Sequence, residues 1–147
     1  MRRFIILIVV TFSMYTIQAQ ADDKSYNQKS IQAHGAAIFY AIVGVNLETY
    51  LWERTNSISG ISLGAGYFSD GGFEIPLHIY TLWNKESVHH IEFDYGVNLL
   101  VDPGSRFFPL PTLSLGYRYQ DLSKNGFLFR GGLNLGISPY ISVGYAF

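Results

Sequence analysis

From residue 30 onward, large apolar side chains recur at every second position, with small or polar residues between them. Period two is the mark of a strand whose two faces meet different surroundings. The pattern predicts eight strands, at about 30–39, 41–52, 57–68, 72–83, 87–101, 110–120, 126–136 and 139–147. The breaks between them carry turn chemistry: Glu53-Arg54-Thr55-Asn56, Ser69-Asp70-Gly71-Gly72, Asn84-Lys85-Glu86, Asp102-Pro103-Gly104-Ser105 and Asp121-Leu122-Ser123-Lys124-Asn125-Gly126. The break near Tyr40 lacks it, which leaves open whether the first two segments are one long bent strand. No helical periodicity survives past residue 25.

The two faces differ in kind. In the fifth segment Ile91, Phe93, Tyr95, Val97, Leu99 and Val101 oppose His90, Glu92, Asp94, Gly96, Asn98 and Leu100. The second, fourth, sixth and seventh segments repeat the division. Every charged side chain within these five, namely Glu48, Glu74, Glu92, Asp94, Arg118 and Arg130, falls on the face that carries the glycines. A soluble barrel would turn its apolar face inward. The interior of an eight-stranded barrel only just holds its side chains, and three or four large residues per strand would overfill it. The small polar face is therefore expected inside, and the large apolar face outside against lipid.

The N-terminus adds a location. Arg2 and Arg3 precede an apolar stretch from Phe4 to Val10 that continues less strictly to Ile17, and Ala19-Gln20-Ala21 offers a cleavage point. This is the build of a secretory signal peptide, residues 1–21, with cleavage after Ala21 or Ala19. The run of about 14 residues is short of the ~20 that span a bilayer. Residues 22–29 are polar and irregular, and read as a flexible lead-in to a barrel over 30–147. There is no cysteine in the chain, which rules out disulfides and a lipid-anchored lipoprotein. Charged residues make up 14% and aromatics 16%, low and high against an ordinary soluble domain. Net charge is −1 with no basic run, so nothing points to nucleic acid.

The final strand carries the most specific signal. Val143, Tyr145 and Phe147 share a face, and the strand ends on the aromatic Phe147. It resembles the C-terminal assembly signature of Gram-negative outer-membrane barrels. At the level of pattern, the whole stretch from residue 30 resembles the small OmpX-like barrels and the OmpA transmembrane domain. The resemblance implies an eight-stranded antiparallel up-and-down transmembrane β-barrel in the cell outer membrane. It implies lipid, lipopolysaccharide and the barrel assembly machinery as partners, a monomer, and no cofactor. With both termini periplasmic, Trp83, Tyr117, Tyr119, Phe127, Tyr145 and Phe147 gather at one rim of the lipid face, and Phe39, Tyr67 and Phe73 at the other, as two girdles should. Trp52 is phased inward, at the periplasmic mouth. Those barrels raise long outer loops, whereas here only Asp102–Pro109 exceeds about four residues.

Candidate chemistry lies in the lumen. Glu48, Glu74, His78, Glu92, Asp94, Arg118 and Arg130 are expected to form a charge network that plugs it, with His34 and His90 nearby. Hairpin register sets His78 opposite Asp94 and brings Glu92 close to Arg118, at positions summing to about 210. His90 and Glu92 share a face, but His89 points away and no further ligand follows, so no metal site is expected. A lipid-modifying outer-membrane enzyme is the alternative, with His34 and the turn pair Ser69-Asp70 as its only candidates. Ser-Asp-Gly-Gly is ordinary turn chemistry, and a non-enzymatic structural or surface-interaction role is the expectation. Arg106-Phe107-Phe108, in the longest outer loop, could touch lipopolysaccharide or pack over the barrel mouth.

Overall fold

A computed structural model describes residues 29–37, 41–69, 71–101, 104, 107–134 and 138–147. The signal peptide, residues 22–28 of the lead-in, Phe39, Tyr40, Asp70 and Arg106 lie outside them. Eight strands, β1 (Lys29–Ala37), β2 (Ala41–Glu53), β3 (Ser57–Phe68), β4 (Phe73–Trp83), β5 (His89–Val101), β6 (Phe107–Tyr119), β7 (Gly126–Asn134) and β8 (Ser138–Ala146), form a closed antiparallel barrel in sequence order. Ala37 pairs with Ala41, so β1 and β2 are two strands of a hairpin. β8 returns to β1, and beyond it Phe147 and Lys29 exchange both backbone hydrogen bonds, at 2.8 and 3.0 Å. Both described ends of the chain thus meet at one end of the barrel, the termini end.

The register sets the geometry of the wall. From His34, successive partners through β2, β3, β4 and β5 lead to Phe108 on β6. The other way round, through β8 and β7, they lead to Arg118 on the same strand. The stagger on closure is ten residues, which with ordinary strand spacings tilts the strands about 40° from the axis.

Side-chain exposure follows the alternation. Leu51, Leu63, Leu77, Ile91, Leu115, Leu133 and Val143 are all exposed on the outside, and Gln32, Glu48, Ser62, Glu92, Arg118, Arg130 and Ser142 are buried inside. Inward glycines stand directly across from large inward side chains. Gly60 faces Tyr80, Gly44 faces His34 and Gly96 faces His78. A Cβ at Gly60 would come within 2.5 Å of the Tyr80 hydroxyl, and one at Gly44 within 2.5 Å of the His34 ring. Each glycine is the space its neighbour's side chain lies in.

Four sequence expectations are corrected. Trp52 does not point inward: the β2–β3 register shifts between Tyr50 and Trp52, and the extra residue reverses the phase. Trp52 pairs with Ser59 and is 43% exposed, on the outer side of the wall with Trp83. β6 starts at Phe107, not near 110, so the longest far-end connection is 102–106 and Phe107, Phe108 and Pro109 belong to the wall. The prolines at 109 and 111, with Leu110 between them, disguise it as a loop in the sequence. The β5–β6 register is consequently two residues short of the expected sum: Glu92 stands opposite Gly116, and Arg118 opposite His90. His78 stands opposite Gly96, and Tyr80 opposite Asp94. A slip of two keeps every face, so the expected neighbours still meet on the diagonal.

Connections run from three to five residues at the far end and from three to six at the termini end. Gly71 and Asn84 carry the positive φ of tight turns, 102° and 69°, which glycine adopts freely and asparagine tolerates. Pro76 interrupts the β3–β4 ladder, which pairs Leu63 with Leu77 and resumes only at Gly66 and Glu74.

Candidate functional site

Alternation alone delivers four inward charges to one level of the barrel: Glu48 from β2, Glu92 from β5, Arg118 from β6 and Arg130 from β7. Arg118 and Arg130 are direct cross-strand partners. Two like charges so placed repel unless acids stand between them, and here two do. Glu48 takes Arg118 Nη2 at 2.8 Å and Arg130 Nη1 at 2.8 Å. Glu92 takes Arg118 Nε at 2.6 Å on one oxygen and Arg130 Nη2 on the other. The four form a closed ring of alternating sign across the lumen. Further contacts surround it: Arg118 donates to Gln120 at 3.2 Å, Arg130 to Gln32 at 3.0 Å and to Asp94 at 3.2 Å, and Ser30 donates to Glu48 at 3.2 Å, while the Arg130 Nε is buried without a hydrogen-bond partner. Both guanidiniums also lie over tyrosine rings, Arg118 over Tyr80 at 4.9 Å and Arg130 over Tyr140 at 5.8 Å.

A hydrogen-bonded chain links the ring to the far end. Asp94 meets His78 Nδ1 at 3.0 Å, and His78 Nε2 donates to Asn98 Oδ1 at 2.7 Å. Asn98 donates its amide to Glu74 at 3.1 Å, and Glu74 meets His34 Nε2 at 3.3 Å. The amide orientation of Asn98 is fixed by the Glu74 carboxylate, so both His78 nitrogens face oxygen acceptors. The lumen acids outnumber the arginines by two, and the two outside the ring, Glu74 and Asp94, are the ones histidines touch. Glu74 therefore belongs to the network through Asn98 and His34, not through an arginine.

Toward the termini end the lumen turns apolar. Tyr50, Ile58, Tyr80, Leu82 and Leu122 form one buried cluster, and Gln120 joins it to the ring by donating to the Tyr50 hydroxyl at 2.9 Å. The sequence reading of a lumen filled by small and polar groups missed this plug. Ile58 and Leu82 lie on the inward phase, and Leu122 is the single apolar residue of a polar turn that folds under the barrel. That isolated leucine was the available signal.

The other candidates fall elsewhere. His89 is exposed on the outside, 2.5 Å from the Tyr117 hydroxyl and packed on Tyr119. His90 is inside, donating from Nε2 to the Gln120 carbonyl at 2.9 Å. Among the described residues no group of three histidines or acids is placed to hold a metal ion. Ser69 sits exposed in the β3–β4 turn, while His34 reaches into the lumen toward Glu74. Val143 and Tyr145 are exposed on the outer face of β8, and Phe147 ends the seam beside β1.

No protein-family model and no curated protein matches the chain. Among solved structures, the N-terminal β-barrel domain of Pseudomonas aeruginosa OprF superimposes with a TM-score of 0.66 at 16% identity, covering 82% of this chain and 98% of that one. The likeness is one of fold, and the fold is the eight-stranded antiparallel closed barrel.

Proposed function

We propose that this protein is a small integral barrel of the Gram-negative outer membrane with a non-enzymatic, structural or surface-interaction role and a plugged lumen. One observation carries the reading: the barrel is inside out relative to a soluble one. Its exterior is a continuous belt of exposed leucine, isoleucine, valine and aromatic side chains, and its interior holds paired charges. Such a surface needs lipid around it. The alternating wall, the two ends lined with aromatics and the likeness to an OprF barrel domain support the same reading. On it, the termini end faces the periplasm and the far end faces outward, the barrel is monomeric, and its contacts are membrane lipid, lipopolysaccharide and the assembly machinery.

The network supports a plug rather than a pore. The lumen is crossed by a complete ring of ion pairs and closed at the termini end by an apolar cluster. Fractionation of cells making the native protein tests the proposal. It should appear in the outer membrane and run at a different gel position when unheated, as folded barrels do. Recovery in the soluble periplasm would overturn it. A shift in the mass of lipid A on overexpression would overturn the non-enzymatic role.

A further inference from the structure

His78 is held between two acceptors. Its Nδ1 lies 3.0 Å from Asp94 Oδ1 and its Nε2 lies 2.7 Å from Asn98 Oδ1. The amide of Asn98 is already given to Glu74 Oε2 at 3.1 Å. Turning Asn98 over would set its carbonyl against that carboxylate, so the oxygen stays on His78. A neutral imidazole has one N–H and one lone pair, and only the doubly protonated imidazole satisfies both contacts. Gly96, directly opposite on β5, supplies the space: a Cβ there would come within 2.6 Å of the His78 Cδ2. The groups packed around it leave that charge to His78. β3 presents only Ser62 and glycines at this level. β5 presents Asp94, whose other oxygen takes Arg130 of β7 at 3.2 Å, and Arg130 itself lies over Tyr140 of β8. Tyr80, the next inward residue of β4, lies under Arg118 of β6. Glu48 of β2 and Glu92 of β5 are taken up by the ion-pair ring. Beyond Asn98 stand Glu74 of β4 and His34 of β1.

A partner for the other protonation state is already in place. Thr112 Oγ1 on β6 is 3.1 Å from the same Nε2. A hydroxyl rotates, and it accepts or donates as its neighbour requires. When Nε2 gives up its proton to water, this hydroxyl can donate to the bare nitrogen, while the Nδ1–H stays on Asp94. The Asn98 carbonyl then faces a lone pair at close range and has to turn. Its amide leaves Glu74 as it does so, because one amide group cannot serve both sides.

We propose that His78 is a proton switch inside the barrel: charged, it ties the ion-pair ring through Asp94 to Asn98 and Glu74; neutral, it passes to Thr112 and releases Glu74 and His34 from the ring. Nitrogen NMR of the histidine side chains tests it, in protein refolded into detergent micelles. The His78 signal is assigned by its loss in His78→Gln, or by its contact with the Thr112 methyl group if that variant does not fold. At about pH 6 both His78 nitrogens should carry protons. As the pH is raised, Nε2 should lose its proton while Nδ1 keeps its own, and the Asn98 side-chain amide signals should move at the same pH. A His78 that is neutral at about pH 6, a proton lost from Nδ1 instead, or Asn98 signals that do not follow His78 overturns the switch. Thr112→Val removes the partner of the neutral form only. It should lower the urea midpoint of unfolding about twice as much at about pH 8.5 as at about pH 6, and equal losses at the two overturn the proposal.

Discussion

Glu92 holds one guanidinium on each of its oxygens, Arg118 from the next strand and Arg130 from the strand beyond. Its neutral amide analogue would leave Arg118 with Glu48 as its one acid partner and Arg130 with Glu48 and Asp94. Breaking one member of such a set costs more than its net worth, because the partner is left buried and unpaired. Glu92→Gln alone and Arg118→Met alone should each cost about 3–5 kcal/mol, and the double variant less than the two together. Refolding titrations into lipid measure the coupling, and strict additivity would remove the pair from the ring. Outside the wall, Asp121 accepts from the Ser123 hydroxyl at 2.6 Å and its N–H at 3.0 Å. The hydroxyl first, then the amide, hold its carboxyl below the usual carboxylate range, with a smaller contribution from Lys124. A carboxyl lowered on folding stabilises the turn above its unfolded pKa, and that contribution is lost as pH falls through the lowered value. Ser123→Ala should bring the Asp121 titration back upward, read by NMR of the side-chain carboxyl.

At the scale of the strand, the two faces have opposite tolerances. Leu115→Arg on the outer face of β6 should cost about 2–4 kcal/mol in bilayers, and a near-neutral result would mean that the faces are reversed. Gly60→Ala on the inner face of β3 should cost about 1–3 kcal/mol by overpacking against Tyr80, whose ring is fixed under Arg118. The division into faces was legible because β5 puts His90, Glu92 and Asp94 in one phase and Ile91, Phe93 and Tyr95 in the other. The start of β6 was not, because Phe107-Phe108-Pro109-Leu110-Pro111 has no alternation at all. Trp52 was misplaced because a bulge leaves no compositional trace. Hairpin register was short by two because β6 begins three residues early. The ring was legible as a set of inward charges. Its partner list was not, since Glu48 reaches Arg118 and Arg130 across the lumen, between strands that are not neighbours.

At the scale of the molecule, the barrel is a well closed at one end. On the proposed function the ring and the apolar cluster beneath it block passage, so the protein in planar bilayers should show no steady conductance, and a stable open level would overturn the plugged lumen. The last strand lies against the first, and the two hydrogen bonds between Phe147 and Lys29 finish the wall. Deletion of Phe147 should lower the amount of assembled protein in the outer membrane far more than it lowers the stability of what does assemble. Quantifying outer-membrane levels beside an unfolding titration separates the two, and normal levels of the deletion variant would refute the aromatic terminus as an assembly signal.

The meeting of Lys29 and Phe147 has a further consequence. Because the two described ends are spatial neighbours and the β6–β7 connection is six residues long at the same end of the barrel, the ring of strands can be relinked there and opened between Tyr119 and Gly126. Such a circular permutant would keep every strand pair, the lumen network and the outer apolar belt, while making β7 the first strand and β6 the last. Its last strand would then carry Tyr117 and Tyr119 in place of Val143 and Tyr145, on an outward face of the same character, with Gln120 and Leu122 kept beyond it. Refolding in vitro should be nearly indifferent to the change. Delivery in the cell would report whether the assembly step reads a particular strand of this barrel or only whichever strand is made last.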